Sequence, residues 1–194
     1  MKKIIKKILK GILYLFLFLI VLLSILIIWD FTGWDKASRE SSGIAPDPKE
    51  TRDAVIQIYA AELWGWRGLF ADHTWISTKQ RGAEQYTVYE VIGWLTSEGY
   101  DSVLRIEKDL PDRFWYGATP RVLVSLQGGV AEELVEKIHN EATNYPYKTD
   151  YSTLPGPNSN TFIAWISCRI PELDLELSQR AIGKNYLEKR GCDL

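Results

Sequence analysis

Nineteen residues from Gly11 to Trp29 carry no charge, and only Gly11, Tyr14 and Ser24 interrupt the aliphatic and phenylalanine side chains before the closing tryptophan. At about 1.5 Å per residue, a helix of this length covers the hydrocarbon core of a bilayer, so the pattern predicts a transmembrane helix over residues 11–29. The tract exceeds the apolar region of a cleaved signal peptide, usually about 7–15 residues. No small-x-small cleavage site follows it, which favours an uncleaved anchor over a signal sequence. Lys2, Lys3, Lys6, Lys7 and Lys10 precede the tract with no acidic residue among them. Residues 1–10 are therefore expected to be a basic cytoplasmic tail, with the rest of the chain across the membrane. Residues 30–50 read as a linker, because Asp35 to Glu50 is rich in small polar side chains and holds Pro46 and Pro48. Residues 51–194 remain as one exported domain, long enough to bury a core.

Within that domain the apolar positions first recur with the period of a strand. Ala54 to Ala61, rich in Val, Ile and Tyr, predicts a strand ended by the aromatic turn Trp64 to Gly68. His73 to Thr78 and Tyr86 to Trp94 predict two more, joined as a hairpin by the polar Lys79 to Gln85. Asp101 to Lys108 and Arg121 to Leu126 extend the sheet. The aromatic density of Pro111 to Gly117 predicts a packed loop between them. The period then lengthens. Val130, Leu134, Val135 and Ile138 predict a helix over Val130 to Asn144, with Glu132, Glu133 and Glu136 on its other side. Phe162, Ile163, Ile166 and Ile170 predict a second helix from Ser159 or Asn160 to about Ile170, stopped by Pro171. In the tail, Leu173, Leu175 and Leu177 alternate as in a strand, whereas Ser178 to Leu187 fits a short helix. Strands first and helices later give an α+β fold, a mainly antiparallel sheet covered by two helices.

The hairpin carries a checkable register. If it turns about Arg81 and Gly82, His73 faces Glu90, Trp75 faces Val88 and Ser77 faces Tyr86. A one-residue shift of the turn would remove the His73–Glu90 pair.

Charge narrows the partners. The chain has 23 Lys and Arg against 25 Asp and Glu, and setting aside the five N-terminal lysines leaves 18 against 25. A net of about −7 on the exported part argues against nucleic acid as a partner. Cys168 and Cys192 fit no metal spacing. In an oxidising compartment they can pair, and Cys168 on an apolar helix equally reads as a buried thiol. No phosphate-binding loop, dinucleotide fingerprint, CxxC pair or HExxH sequence is present, so no cofactor or metal is expected.

What chemistry remains lies in three places. Pro155 to Phe162 sets Asn158, Ser159 and Asn160 where the second helix should start. A helix N-terminus stabilises developing negative charge, so Ser159 is a candidate nucleophile with Asn158 and Asn160 as further donors. Equally, any of the three is a plain cap. His73 is a candidate base with Glu90 orienting it, or a structural histidine bonded to Asp72, a backbone group or Glu90. Glu90 can instead pair with Arg67 or Arg113. His139, between Glu136 and Glu141, is expected to face water. Arg67 can clamp an anionic group or stack on its aromatic neighbours, and Trp66 is a ligand platform or a core aromatic.

Several blocks together resemble a known family: Trp64 to Trp75, Tyr86 to Trp94, Pro111-Asp-Arg-Phe-Trp115, Tyr145-Pro-Tyr147 and Leu154 to Phe162, with Pro-Gly-Pro-Asn-Ser-Asn-Thr-Phe the most specific. The chain resembles an uncharacterised bacterial membrane-anchored family, domain of unknown function 3750, over nearly all of Val55 to Leu187. That resemblance implies the bacterial cytoplasmic membrane, with the domain in the periplasm if the cell is Gram-negative, and implies no activity. A weaker likeness is to circularly permuted members of the papain-like superfamily, which includes cell-wall peptidases and lipid acyltransferases. It implies a permuted papain-like fold, with His73 as base, Glu90 as its partner, Ser159 standing where those enzymes have cysteine, and a cell-wall or lipid-derived ligand. A hydroxyl needs more help from its base than a thiol does. Two functions are therefore expected in competition: a Ser/His/Glu hydrolase or acyltransferase on an envelope amide or ester, and a catalytically inactive binding or assembly module.

Overall fold

The computed structural model describes residues 2–31 and 33–188. Two units emerge, Met1–Ala37 and Ser38–Leu194. The first is dominated by one helix, α1 (Lys2–Phe31). Within it Lys3–Ile25 has a mean hydropathy of 2.7 and is long and apolar enough to cross a membrane, as a single-pass anchor or a signal sequence would be.

The second unit is α+β. Five strands, β1 (Val55–Glu62), β2 (Asp72–Lys79), β3 (Thr87–Val91), β4 (Leu104–Lys108) and β5 (Arg121–Gln127), form an antiparallel sheet. Their order is β4-β3-β2-β1-β5. Two helices follow, α2 (Gly129–Thr143) and α3 (Ser159–Arg169). Strand alternation sorts the side chains of the central strands onto two faces. Ile56, Ile58, Ile76, Tyr89 and Val91 point to the face covered by Leu134, Val135 and Ile138 of α2 and Phe162, Ile163 and Ile166 of α3. Each fully buried Ile or Phe contributes about 1.5–3 kcal/mol, which makes this layer the main core.

The opposite face is also buried, and by segments without regular structure. Tyr59, Trp75, Ser77 and Tyr86 are inaccessible there. Trp75 Nε1 donates to the Pro111 carbonyl at 2.7 Å, and Tyr86 Oη donates to Pro46 at 2.9 Å. The cover is a strip over residues 38–46 laid against the loop 111–118, and Asp112 holds the two together. Its buried carboxylate accepts from Ser41 Oγ and from the Ile44 and Ala45 backbone N–H groups, while Phe114 N–H donates to Glu40. Double coverage explains why β1 and β2 are buried along almost their whole length.

The tail forms no strand. Leu173 lies in a short 3₁₀ turn, Pro171–Leu173, and Leu175 and Leu177 pack half-buried on the core in irregular chain. Their alternation reflects contact with one apolar surface and not pairing with a neighbour. The helix expected after Ser178 shortens to the 3₁₀ turn Lys184–Leu187. Cys168 is exposed and disulfide-bonded, so it is not a buried thiol. Cys192 lies outside the described residues.

Candidate functional site

Strands β2 and β3 pair only over Ile76 to Thr78 and Tyr89 to Thr87. Toward the start of β2 they part, and a cavity of about 270 Å³ lies at that end of the sheet. The observed register opposes Ser77 to Val88, not to Tyr86 as the expected turn had it, because the connection is not symmetric about Arg81 and Gly82. A shift by an even number of residues keeps every side chain on its face. His73 and Glu90 therefore still meet, as diagonal neighbours, with Nε2 to Oε2 at 3.4 Å.

Glu90 is wholly inaccessible and sits among cations. Arg113 Nη2 donates to both its oxygens, at 2.5 and 2.7 Å, and Arg105 Nε donates at 2.8 Å. Burial alone would raise its carboxyl, but the hydrogen bond from His73 and the charges of Arg113 and Arg105 outweigh it and hold the group at about 2. Arg105 opposes Glu90 directly across β3 and β4. No local motif announces that pair, since the sequence distance is set by an irregular connection.

Burial pushes the His73 imidazole below its ordinary range against the pull of Glu90, so the ring is neutral. A carboxylate can only accept, hence Nε2 carries the proton and Nδ1 keeps its lone pair. The ring is fixed by stacking, on Trp115 with centroids 3.6 Å apart and planes within 9°, and on Trp75 at 5.7 Å. Trp115 belongs to the packed loop foreseen from its aromatic density. Its contact with His73 had no sequence signal. His139 is exposed, with its ring edge-on to Tyr89 at 6.0 Å.

At the start of α3 the cap is Asn158. Its Oδ1 accepts from the N–H groups of Asn160 and Thr161, and Thr161 Oγ1 accepts from Asn158 N–H in return. Gly156 makes the approach possible: at φ +123°, its absent Cβ would stand 2.7 Å from Thr161 Oγ1. Both asparagine amides are used up by the scaffold. Asn158 Nδ2 donates to Thr153 and Ile182, and Asn160 Nδ2 donates to Asp72 and Ile182. Neither retains a hydrogen for a ligand, which departs from the donor role expected of them. Instead they bind the helix start to β2, where Thr74 Oγ1 also donates to Asn160 Oδ1 at 2.9 Å.

The Ser159 carbonyl accepts from Thr74 Oγ1 at 3.3 Å, but its side chain is left out of this network. The residue is 5% exposed, and its hydroxyl and backbone N–H make no hydrogen bond among the described residues. Ser159 and His73 both line the cavity. They reach it from different sides, because Thr74 faces α3 and its neighbour His73 points the other way. No hydrogen bond joins the Ser159 hydroxyl to the imidazole among the described residues. Trp66 and Arg67, on the 3₁₀ turn Gly65–Leu69, line the same cavity, with Arg67 Cζ 6.0 Å from the Trp66 ring. Trp66 is half exposed and is not a core aromatic. Among the described residues no group of three or more His, Cys, Asp or Glu is placed to hold a metal ion.

Comparison with curated proteins and with solved structures finds no match. Residues 53–186, which hold the sheet, both helices and every residue around the cavity, match the family described as protein of unknown function (DUF3750), and the chain belongs to that family.

Proposed function

We propose that the globular unit is a serine acyl hydrolase or acyltransferase acting on an amide or ester of the bacterial cell envelope. Ser159 is the nucleophile, His73 the base and Glu90 the group that orients the base. The observation that carries this reading is Ser159 itself: 5% exposed, not used as the helix cap, and lining the same cavity as a neutral imidazole whose Nε2 proton is held by Glu90. A hydroxyl with no hydrogen bond inside the fold among the described residues, on the wall of a cavity that a neutral imidazole also lines, is available to a ligand there.

In the reaction, Ser159 Oγ adds to the substrate carbonyl while its proton passes to His73 Nδ1. The Ser159 N–H at the open end of α3 stabilises the oxyanion. The leaving alcohol or amine takes the proton from Nδ1, and water or an acceptor hydroxyl then releases the acyl group by the same steps in reverse. Catalytic hydrogen bonds are often long in an unliganded enzyme and tighten only when substrate is bound. The roles assigned are those that the sequence likeness to permuted papain-like enzymes implies, with serine in place of cysteine. A fluorophosphonate probe is expected to label wild type at Ser159 and to leave Ser159→Ala unlabelled. Labelling that survives the substitution rejects the reading.

A second reading, a binding module that keeps the cavity without turnover, is favoured by the missing hydrogen bond between Ser159 and His73. It predicts no labelling of the wild type either.

The same proposal places the unit outside the cytoplasm of a single-pass protein, in the periplasm of a Gram-negative cell. The five lysines at the start of α1, ahead of its apolar tract, and the disulfide at Cys168 support it. Alkaline phosphatase fused after Leu194 is expected to be active. A cytoplasmic reporter active at that position would contradict the topology.

A further inference from the structure

The cavity beside Ser159 is built for hydrocarbon. Leu63, Val91 and Ile92 wall it, and five large side chains that line it are at the same time exposed: Trp66 by 50%, Phe70 by 63%, Trp94 by 40%, Tyr151 by 42% and Leu154 by 72%. Single exposed apolar residues are ordinary, whereas a cluster around the mouth of one cavity marks a binding surface. Apart from Ser159 and His73 Nδ1, which the proposed reaction uses, the Asn158, Asn160 and Asp72 side chains at the inner end are committed elsewhere. All amide hydrogens of Asn158 and Asn160 are spent on backbone carbonyls. Asp72 Oδ2 accepts from Arg121 and Ser178, and its Oδ1, without a hydrogen bond among the described residues, is ion-paired with Arg180 at 3.2 Å. A glycan or peptide would therefore bury its polar groups against Leu63, Val91, Ile92 and Phe70 without partners, which is costly. A hydrocarbon chain leaves nothing unpaired. About 270 Å³ holds roughly nine water-sized groups of ~30 Å³, and a methylene is of similar size.

We infer that this cavity takes the acyl chain of a bilayer lipid, with the ester or amide carbonyl at Ser159 and the hydrocarbon against Val91, Ile92 and the aromatic rim. The inference rests on reading the cavity as the acyl site of the proposed enzyme, and it narrows the substrate from envelope amides and esters in general to a lipid. A source in the membrane fits a chain that carries its own membrane-length helix.

The test uses the full chain reconstituted in phosphatidylcholine vesicles containing a minor fraction of phosphatidylcholine with a diazirine-bearing acyl chain. After illumination, cross-linked peptides are mapped by mass spectrometry. Cross-links are expected at Val91 or Ile92 inside the cavity and at Phe70, Trp94 or Leu154 on its rim, equally in wild type and in Ser159→Ala. Phe70→Asp and Leu154→Asp, at positions 63% and 72% exposed and so compatible with folding, are expected to lower the cavity cross-links about tenfold at an unchanged melting temperature. Cross-links confined to α1, or to the rim without Val91 and Ile92, overturn the inference, as does insensitivity to both rim variants. Because Ser159→Ala binds without turnover, a lipid site with no fluorophosphonate labelling would sink the enzyme and keep the site. Labelling without cavity cross-links would do the opposite.

Discussion

Glu90→Ala is expected to cost about 3–5 kcal/mol of folding stability, measured by urea denaturation of the globular unit in the full chain. The carboxylate is wholly buried between Arg113, Arg105 and the Nε2–H of His73. Removing it strands the Arg113 guanidinium, whose Nη1 makes no hydrogen bond among the described residues and has Asp109 only at 3.6 Å. A surface pair would count for under about 1 kcal/mol, and the difference lies in the lost desolvation of both partners. The same cluster sets the response to acid. Glu90 titrates from an ordinary 4.5 when unfolded to about 2 when folded, so its contribution is complete above about 4.5 and is lost as pH falls through 2. That shift corresponds to about 3 kcal/mol. The His73 imidazole is also lowered by burial, so the unfolded state takes up its proton first and stability begins to fall below about 6.5. Melting temperature is thus expected to drop in two stages with acid. Glu90→Gln should abolish the lower stage, and a single stage in wild type would speak against the cluster.

The second large effect is functional. His73→Ala is expected to slow acylation of Ser159 by on the order of 10³- to 10⁴-fold, read as the rate of fluorophosphonate labelling. The residual rate comes from the helix N-terminus and from binding. Because the ring occupies a defined slot against Trp115, added imidazole should recover part of the loss, which a purely structural histidine would not show. A wild-type rate in His73→Ala would remove the histidine from the mechanism. A loss without recovery, accompanied by unfolding, would assign it to the Glu90 cluster alone.

Sequence reading reached the fold through periodicity, and it failed where periodicity carries no information. Val55 to Ala61 and Val130 to Ile138 announced a strand and a helix because each buries one continuous surface. The same logic misread Leu173, Leu175 and Leu177, which meet the core singly and never pair. Face was legible in the β2–β3 hairpin and register was not: alternation fixes which side His73 and Glu90 occupy, yet a shift of two residues leaves alternation unchanged. The contact survived for that reason.

The site was legible as a list of residue types and not as a set of roles. Asn158, Ser159 and Asn160 were equivalent as caps until Asn158 took the Asn160 and Thr161 N–H groups. Only then did Ser159 stand apart. Arg105 and Trp115 fix the charge and the plane of the His73–Glu90 pair, and no spacing encodes either: β4 is placed by an irregular connection, and Trp115 lies in an irregular loop. The strip over residues 38–46 was read as linker from its composition. Its place on the sheet depends on Asp112, a single buried carboxylate that leaves no periodic trace.

The central claim is that position 159 and His73 act on one another within this cavity. Ser159→Cys tests it directly, through the pH dependence of alkylation of the introduced thiol by iodoacetamide. An ordinary thiol titrates near 8.5, and both the start of α3 and an imidazole partner lower it. The account predicts a midpoint well below 8.5 that returns at least one unit toward it when His73→Ala is added. A midpoint that His73→Ala leaves unmoved would contradict it.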